Sequence, residues 1–332
     1  MRATRLAQSA VLLLALAGCA AGEATSQAPS GEWTLDLQQR DGILLSVWGT
    51  GSTDVWAAGG QAGRGLVLHG DGVTWREVPT GADSLLWWIY GFGVDDVYAV
   101  GENGLILHYD GTRWERAHSG TTRTLFGVWG ASGDDVWMVG GDPSGEPGAA
   151  VILRGQGRFF QPVADIPPEL VPDAFFKVYG NGRHDVIVVG RSGTVLRWDG
   201  VTWRKEGAPT RRPIISLWGR GANDMYAVGG QDSGEVLHYD GAEWRQVSGI
   251  GPSPGLNGVF TGPGRPVFAV GADAFILEIS PEGEASVKEA PATDKPLVLH
   301  SVWGDEKGTV YAVGGDLHTY PRPMSGVILR RR

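Results

Sequence analysis

One phrase returns along the whole chain. Val47-Trp48-Gly49, followed by Asp54-Val55-Trp56-Ala57-Ala58-Gly59, comes back as Ile89-Tyr90-Gly91, Val128-Trp129-Gly130, Val178-Tyr179-Gly180, Leu217-Trp218-Gly219, Val259-Phe260-Thr261 and Val302-Trp303-Gly304. Successive starts lie about 40–50 residues apart, the period of a blade rich in Gly, Trp and short strands. The seven copies predict an all-β chain: a seven-bladed β-propeller with four antiparallel strands per blade.

The second copy gives the plainest blade. Residues 85–90 read as an inner strand ended by Gly91, and 97–100 as a second strand ended by Gly101. Residues 105–109 form a third, and Asp110-Gly111 turns the chain into an outer strand at 112–116. The strands are almost continuously apolar, as expected when neighbouring blades cover both faces. The seventh copy stops at its third strand, 327–330, while residues 30–35 look like an orphan outer strand. Residues 33–37 are therefore expected to complete blade seven, making 32–332 one closed ring without an exposed sheet edge.

Composition narrows the function classes. With 53 glycines, the chain has the turn residues that many short strands need. The net charge of −9 comes with no basic stripe, which argues against nucleic acid as a partner. Cys19 is the single cysteine, so an intrachain disulfide and a cysteine metal site are excluded.

The first residues read as an address. Arg2 and Arg5 precede an apolar run from Leu6 to Leu16 that is too short to span a bilayer. Leu16-Ala17-Gly18-Cys19 resembles the bacterial lipoprotein signal at all four positions. The resemblance implies a signal peptide over 1–18, lipid attachment at Cys19, and a flexible linker over 19–31. It also implies a place in the bacterial cell envelope, with Ala20 after the cysteine fitting outer-membrane sorting. The membrane is then met through the lipid alone, and the propeller is expected to be a monomer.

Most repeated polar and aromatic residues read as architecture. Asp54, Asp96, Asp135, Asp185 and Asp224 each precede a second strand, one per blade, so they cannot converge on one ion and read as turn formers. His69, His108 and His238 share a third-strand slot with Arg154, Arg197, Glu278 and Arg330, again one per blade. The aromatic slots (Trp48, Tyr90, Trp129, Tyr179, Trp218, Phe260 and Trp303 inside; Trp75, Trp114, Phe160, Trp203 and Trp244 outside) read as packing between blades. No catalytic residue, metal ligand or cofactor is predicted.

Binding is expected where the copies differ. Three long connections, 141–149, 161–174 and 316–325, fall on one face of the ring because the strands alternate in direction. They supply Asp142, Glu146, Asp316, His318, Tyr320 and Arg322 as candidate ligand-binding residues. A slot in the inner strand is otherwise small (Ser46, Gly127, Ser216, Gly258, Ser301) but holds Trp88 in blade two and Lys177 in blade four. If that slot lines the channel, Trp88 offers a stacking surface and Lys177 a charge to a ligand.

The unit Trp-Gly-x-x-x-x-Asp-Val-Trp-Ala-Val-Gly, closing on Gly-x-x-Leu-His-Tyr-Asp-Gly-x-x-Trp, resembles secreted bacterial propellers of the Asp-box and photosystem II assembly-factor type. The outer turn Asp110-Gly111-Thr112-Arg113-Trp114 is one residue shorter than an Asp box. Doublets such as Gly59-Gly60 and Gly140-Gly141 are similar to those of kelch repeats. Kelch oxidases of the galactose oxidase type need a Cys–Tyr cofactor that the mature chain lacks, and the sialidase Phe-Arg-Ile-Pro motif is absent. Two functions are expected from this. One is a lipid-anchored binding or assembly scaffold for a protein or carbohydrate ligand at the loop-rich face. The alternative is a glycoside hydrolase or lyase using loop carboxylates such as Asp142 or Asp316, which requires two carboxyl groups about 5–10 Å apart.

Overall fold

A computed structural model describes residues 31–39, 41–145, 148–293, 296–316 and 324–332. The described residues form seven four-stranded antiparallel sheets. Six of these are consecutive in sequence; blade two, for example, comprises Leu86–Gly93, Asp96–Gly101, Ile106–Tyr109 and Trp114–Ala117 from inside to outside. The seventh sheet is composite. Its first three strands are Val298–Gly304, Val310–Gly315 and Gly326–Arg331, and its outer strand is Trp33–Gln39.

The orphan strand closes the ring on blade seven, as expected. Trp33 pairs with Arg331 and Gln38 with Val327. Asp36 on the closing strand accepts the Trp75 indole N–H of blade one at 2.8 Å and pairs with Arg330 of blade seven at 2.7 Å. One carboxylate thus ties the first and last blades together. Trp33 is buried and meets the Phe268 ring of blade six edge-on at 6.2 Å. No helix among the described residues is long and apolar enough to cross a membrane.

The repeated Asp and third-strand residues turn out to be partners within each blade. Asp54 meets His69 at 2.7 Å, Asp96 meets His108 at 2.8 Å, and Asp224 meets His238 at 2.9 Å. In blades three and four arginine takes the histidine's place, as Asp135–Arg154 and Asp185–Arg197. The histidine ring lies against an aromatic neighbour on the second strand in three blades: His69 on Trp56, His108 on Tyr98 and His238 on Tyr226. Each pair is local to its sheet, as the spread over separate blades required. The aspartates of the outer turns, such as Asp110, accept backbone N–H groups two and three residues ahead, which holds the Asp110 carboxyl at about 2.

One irregularity recurs in all seven inner strands. The pairing with the second strand slips by one residue between Leu44 and Ser46, Leu86 and Trp88, Leu125 and Gly127, Phe175 and Lys177, Ile214 and Ser216, Leu256 and Gly258, and Leu299 and Ser301. Each slip is a β-bulge whose extra residue leaves the ladder and is re-aimed. The extra residues are Leu45, Trp87, Phe126, Phe176, Ile215, Asn257 and His300.

Candidate functional site

These bulges decide what lines the channel. Pleat alternation alone allows the small slot to face the axis, and the structure corrects that expectation. Ser46, Ser216 and Ser301 are fully buried between blades; the Ser46 hydroxyl accepts the Ile89 N–H of the next blade at 3.1 Å. Gly127 is pressed against Phe176 and Lys177 of blade four, where an added Cβ would meet the Phe176 carbonyl at 3.1 Å. The bulged residue one step earlier forms the wall instead.

On the loop-rich face the wall opens into a vestibule of about 910 Å³. Leu45, Trp87, Ile215, Asn257 and His300 contribute from the bulges, with Ile43, Leu85, Val298 and Met324 around them. Exposed Gln231 and Asp232 stand at its edge. Its size suits a small ligand or an inserted side chain. The bulged aromatics continue around one side of the throat: Trp87 meets Phe126 edge-on at 5.1 Å, and Phe126 meets Phe176 at 5.5 Å. Trp87 also stands 5.8 Å from the His300 ring. Two bulge side chains knit neighbouring blades. The His300 Nδ1–H donates to the Leu45 carbonyl at 2.8 Å, and the Asn257 amide donates to the Leu299 carbonyl at 3.0 Å. The bond at Nδ1 leaves Nε2 of neutral His300 without its proton.

Trp88 and Lys177, the two residues that break the small slot, come together. Lys177 Nζ lies over the Trp88 ring, 2.6 Å from its centroid, and the glycine at the same position of the intervening blade, Gly127, leaves room between them. Both are buried, Lys177 at 4% exposure. Among the described residues Lys177 has no ion pair and no hydrogen bond. Burial pushes its amine well below the ordinary 10.5. Burial, then repulsion from Lys177, pushes the His300 imidazole down to about 4, against the opposing effect of its bond to Leu45.

The loop candidates divide. Asp142 folds its own turn, accepting the Ser144 N–H at 3.1 Å and meeting Arg123 at 3.4 Å. Its backbone N–H donates to the Asp173 carbonyl, and the Gly148 and Ala150 N–H groups donate to Pro172, so two of the three long connections are pinned together. Asp316 is buried on blade seven, and its N–H donates to the Ser325 carbonyl. Glu146, His318, Tyr320 and Arg322 lie outside the described residues, as does Cys19. Among the described residues no group of three His, Cys, Asp or Glu side chains is placed to hold a metal ion.

The opposite face carries a funnel of about 720 Å³, lined by Tyr90, Trp129, Tyr179, Trp218, Phe260 and Trp303. These rings pack between blades. An added Cβ on Gly91 would meet Trp48 at 2.6 Å, and one on Gly180 would meet Trp129 at 2.7 Å. At these two positions, and at Gly49 against Trp303 and Gly304 against Phe260, the glycine after the aromatic is the seat of the preceding blade's ring.

No protein-family model matches the sequence, and no curated protein does. Solved structures share its architecture. YCF48 from Cyanidioschyzon merolae aligns with a TM-score of 0.66 at 15% identity, over 91% of this chain and 98% of that one. A streptogramin B lyase structure aligns at 0.69 and 11% identity, over 91% and 98%. YCF48 bound to a D1 peptide aligns at 0.64 and 13% identity, over 90% and 96%. At these identities the likeness is one of fold.

Proposed function

We propose that this protein is a lipid-anchored envelope propeller that holds a protein or glycan partner at its loop-rich face. The observation that carries the reading is the apolar vestibule of about 910 Å³ at that face. Its wall is set by bulged residues that vary from blade to blade, Leu45, Trp87, Ile215, Asn257 and His300, on a scaffold otherwise repeated seven times. Rigid rings of this kind present variable positions on fixed supports. The lipid anchor is supported by the Leu16-Ala17-Gly18-Cys19 motif. A propeller of the same fold has been solved with a peptide bound, which is in keeping with a protein partner.

Site-specific photo-crosslinking tests the face. A crosslinker at Gln231, on the vestibule edge, is expected to capture a discrete partner in cells. The same group at Val201, 80% exposed in an outer turn of the opposite face, is expected to capture none. Equal labelling from the two positions refutes the assignment. Separately, Cys19→Ser is expected to move the protein from the membrane to the soluble fraction, and an unchanged distribution refutes the anchor.

A further inference from the structure

The throat below the vestibule contains an unexplained expense. A lysine enclosed in apolar surroundings without a carboxylate is strongly disfavoured in its charged form. A cation over an indole offsets only part of that. Five of the seven blades hold serine or glycine at this slot, so the fold does not require a lysine there. The lysine stem also fills no gap forced by its own blade, since the partner it reaches, Trp88, belongs to blade two and is the other exception in the slot.

The position of the amine is informative. Inner strands run from the loop-rich face inward, so position 177 lies one residue deeper than the bulged wall of Trp87, Phe126 and Phe176. His300 both lines the vestibule and feels the charge of Lys177. The Lys177 amine, reaching from blade four past Gly127 to Trp88 of blade two, therefore lies in the ring's interior below that wall. The other ionisable lining groups, Glu102 and Asp232, belong to the outer connections between second and third strands. An apolar chamber with an unpaired amine below its floor and carboxylates only at its edge has the polarity of a site for an acid entering head first.

We propose that the vestibule and throat bind a small organic monocarboxylate, its apolar body against Leu45, Trp87, Ile215 and Met324 and its carboxylate taken by Lys177. The carboxylate supplies the counter-charge that Lys177 lacks, and a proton taken up by the amine completes the buried pair. No bond to carbon is made or broken. The bulged wall provides the access, because Trp87, Phe126, Phe176 and His300 are all half-buried rather than sealed. This site goes beyond the macromolecular partner proposed for the rim and does not depend on it.

The test compares hexanoate with hexanamide, a neutral near-isostere, by titration calorimetry on the full chain. Hexanoate is expected to bind at least ten-fold more tightly. In Lys177→Met, which keeps the stem and removes the amine, the two probes are expected to bind within two-fold of each other. In Lys177→Gln, which keeps a polar side chain but no positive charge, the same loss of preference is expected; this second variant serves if Lys177→Met fails to fold. Equal binding of the probes by the wild type, no binding of hexanoate, or a preference that survives loss of the amine overturns the proposal. Each of these outcomes leaves the crosslinking contrast between Gln231 and Val201 untouched, so the two readings fail separately.

Discussion

His300 should make this propeller acid-sensitive by an amount that can be worked out in advance. Its imidazole is pushed from 6.5 down to about 4 in the folded chain by burial and by Lys177. Between those two values the unfolded chain holds the proton and the folded chain does not. Stability therefore rises with pH across this window, by about 1.4 kcal/mol per pH unit for one such group. Above about pH 6.5 the imidazole is neutral in both states and contributes no slope. Integrated from pH 6.5 to pH 4, the loss on acidification is about 3 kcal/mol. Replacing His300 with Asn removes the titrating group while keeping an amide donor near the Leu45 carbonyl, the role Asn257 plays toward Leu299 in blade six. The assay is urea unfolding of wild type and His300→Asn at pH 4, 5, 6 and 7. The stability difference between the two proteins is expected to shift in favour of the variant by about 3 kcal/mol from pH 7 to pH 4. A difference that stays constant to within about 1 kcal/mol would refute the claim that His300 is held neutral.

Two further outcomes test the ring itself. Gly91→Ala places a methyl 2.6 Å from Trp48 and 2.7 Å from the Asp96 carbonyl, both on rigid strands, so a destabilisation of about 1–3 kcal/mol is expected in denaturant titration; a neutral effect would show that the aromatic is not seated on the glycine. Trp33→Ala empties a buried slot on the closing strand and should cost about 3–5 kcal/mol, with early loss of hydrogen-exchange protection in 326–331; uniform loss over all blades would argue against local opening at the seam.

Much of this architecture was legible in the residues. The recurring inner aromatic, followed by glycine in every blade but the sixth, marked the blades, and an unpaired Trp33 segment beside a blade short of one strand marked the closure. The outer-turn aspartates and the second-strand aspartates were legible as local chemistry, but the pairing of Asp96 with His108 was not, because it joins two slots that the sequence shows only separately. The channel wall was hidden by the bulge. Alternation counted along 43–48 assumes an unbroken pleat, and one inserted residue turns Leu45 and its six equivalents toward the axis. His300 and Asn257 were missed for this reason. Trp87 did leave a signal, since it and Trp88 fall outside the recurring tryptophan slots. Trp88 and Lys177 stood out as exceptions in one slot, but that they reach each other across Gly127 depends on the curvature of the ring, which no linear spacing encodes.

The sevenfold bulge separates two demands that a folded chain usually has to meet with the same side chains. A residue inside a regular strand must satisfy its ladder and its neighbours before it can serve a guest. The seven extra residues have stepped out of the ladder, so their identity is released from strand pairing. Leu, Trp, Phe, Ile, Asn and His already occupy equivalent places without disturbing the surrounding sheets. The interior of this ring can therefore be rewritten one spoke at a time, which makes those seven positions the natural set to randomise when seeking a propeller with a new guest.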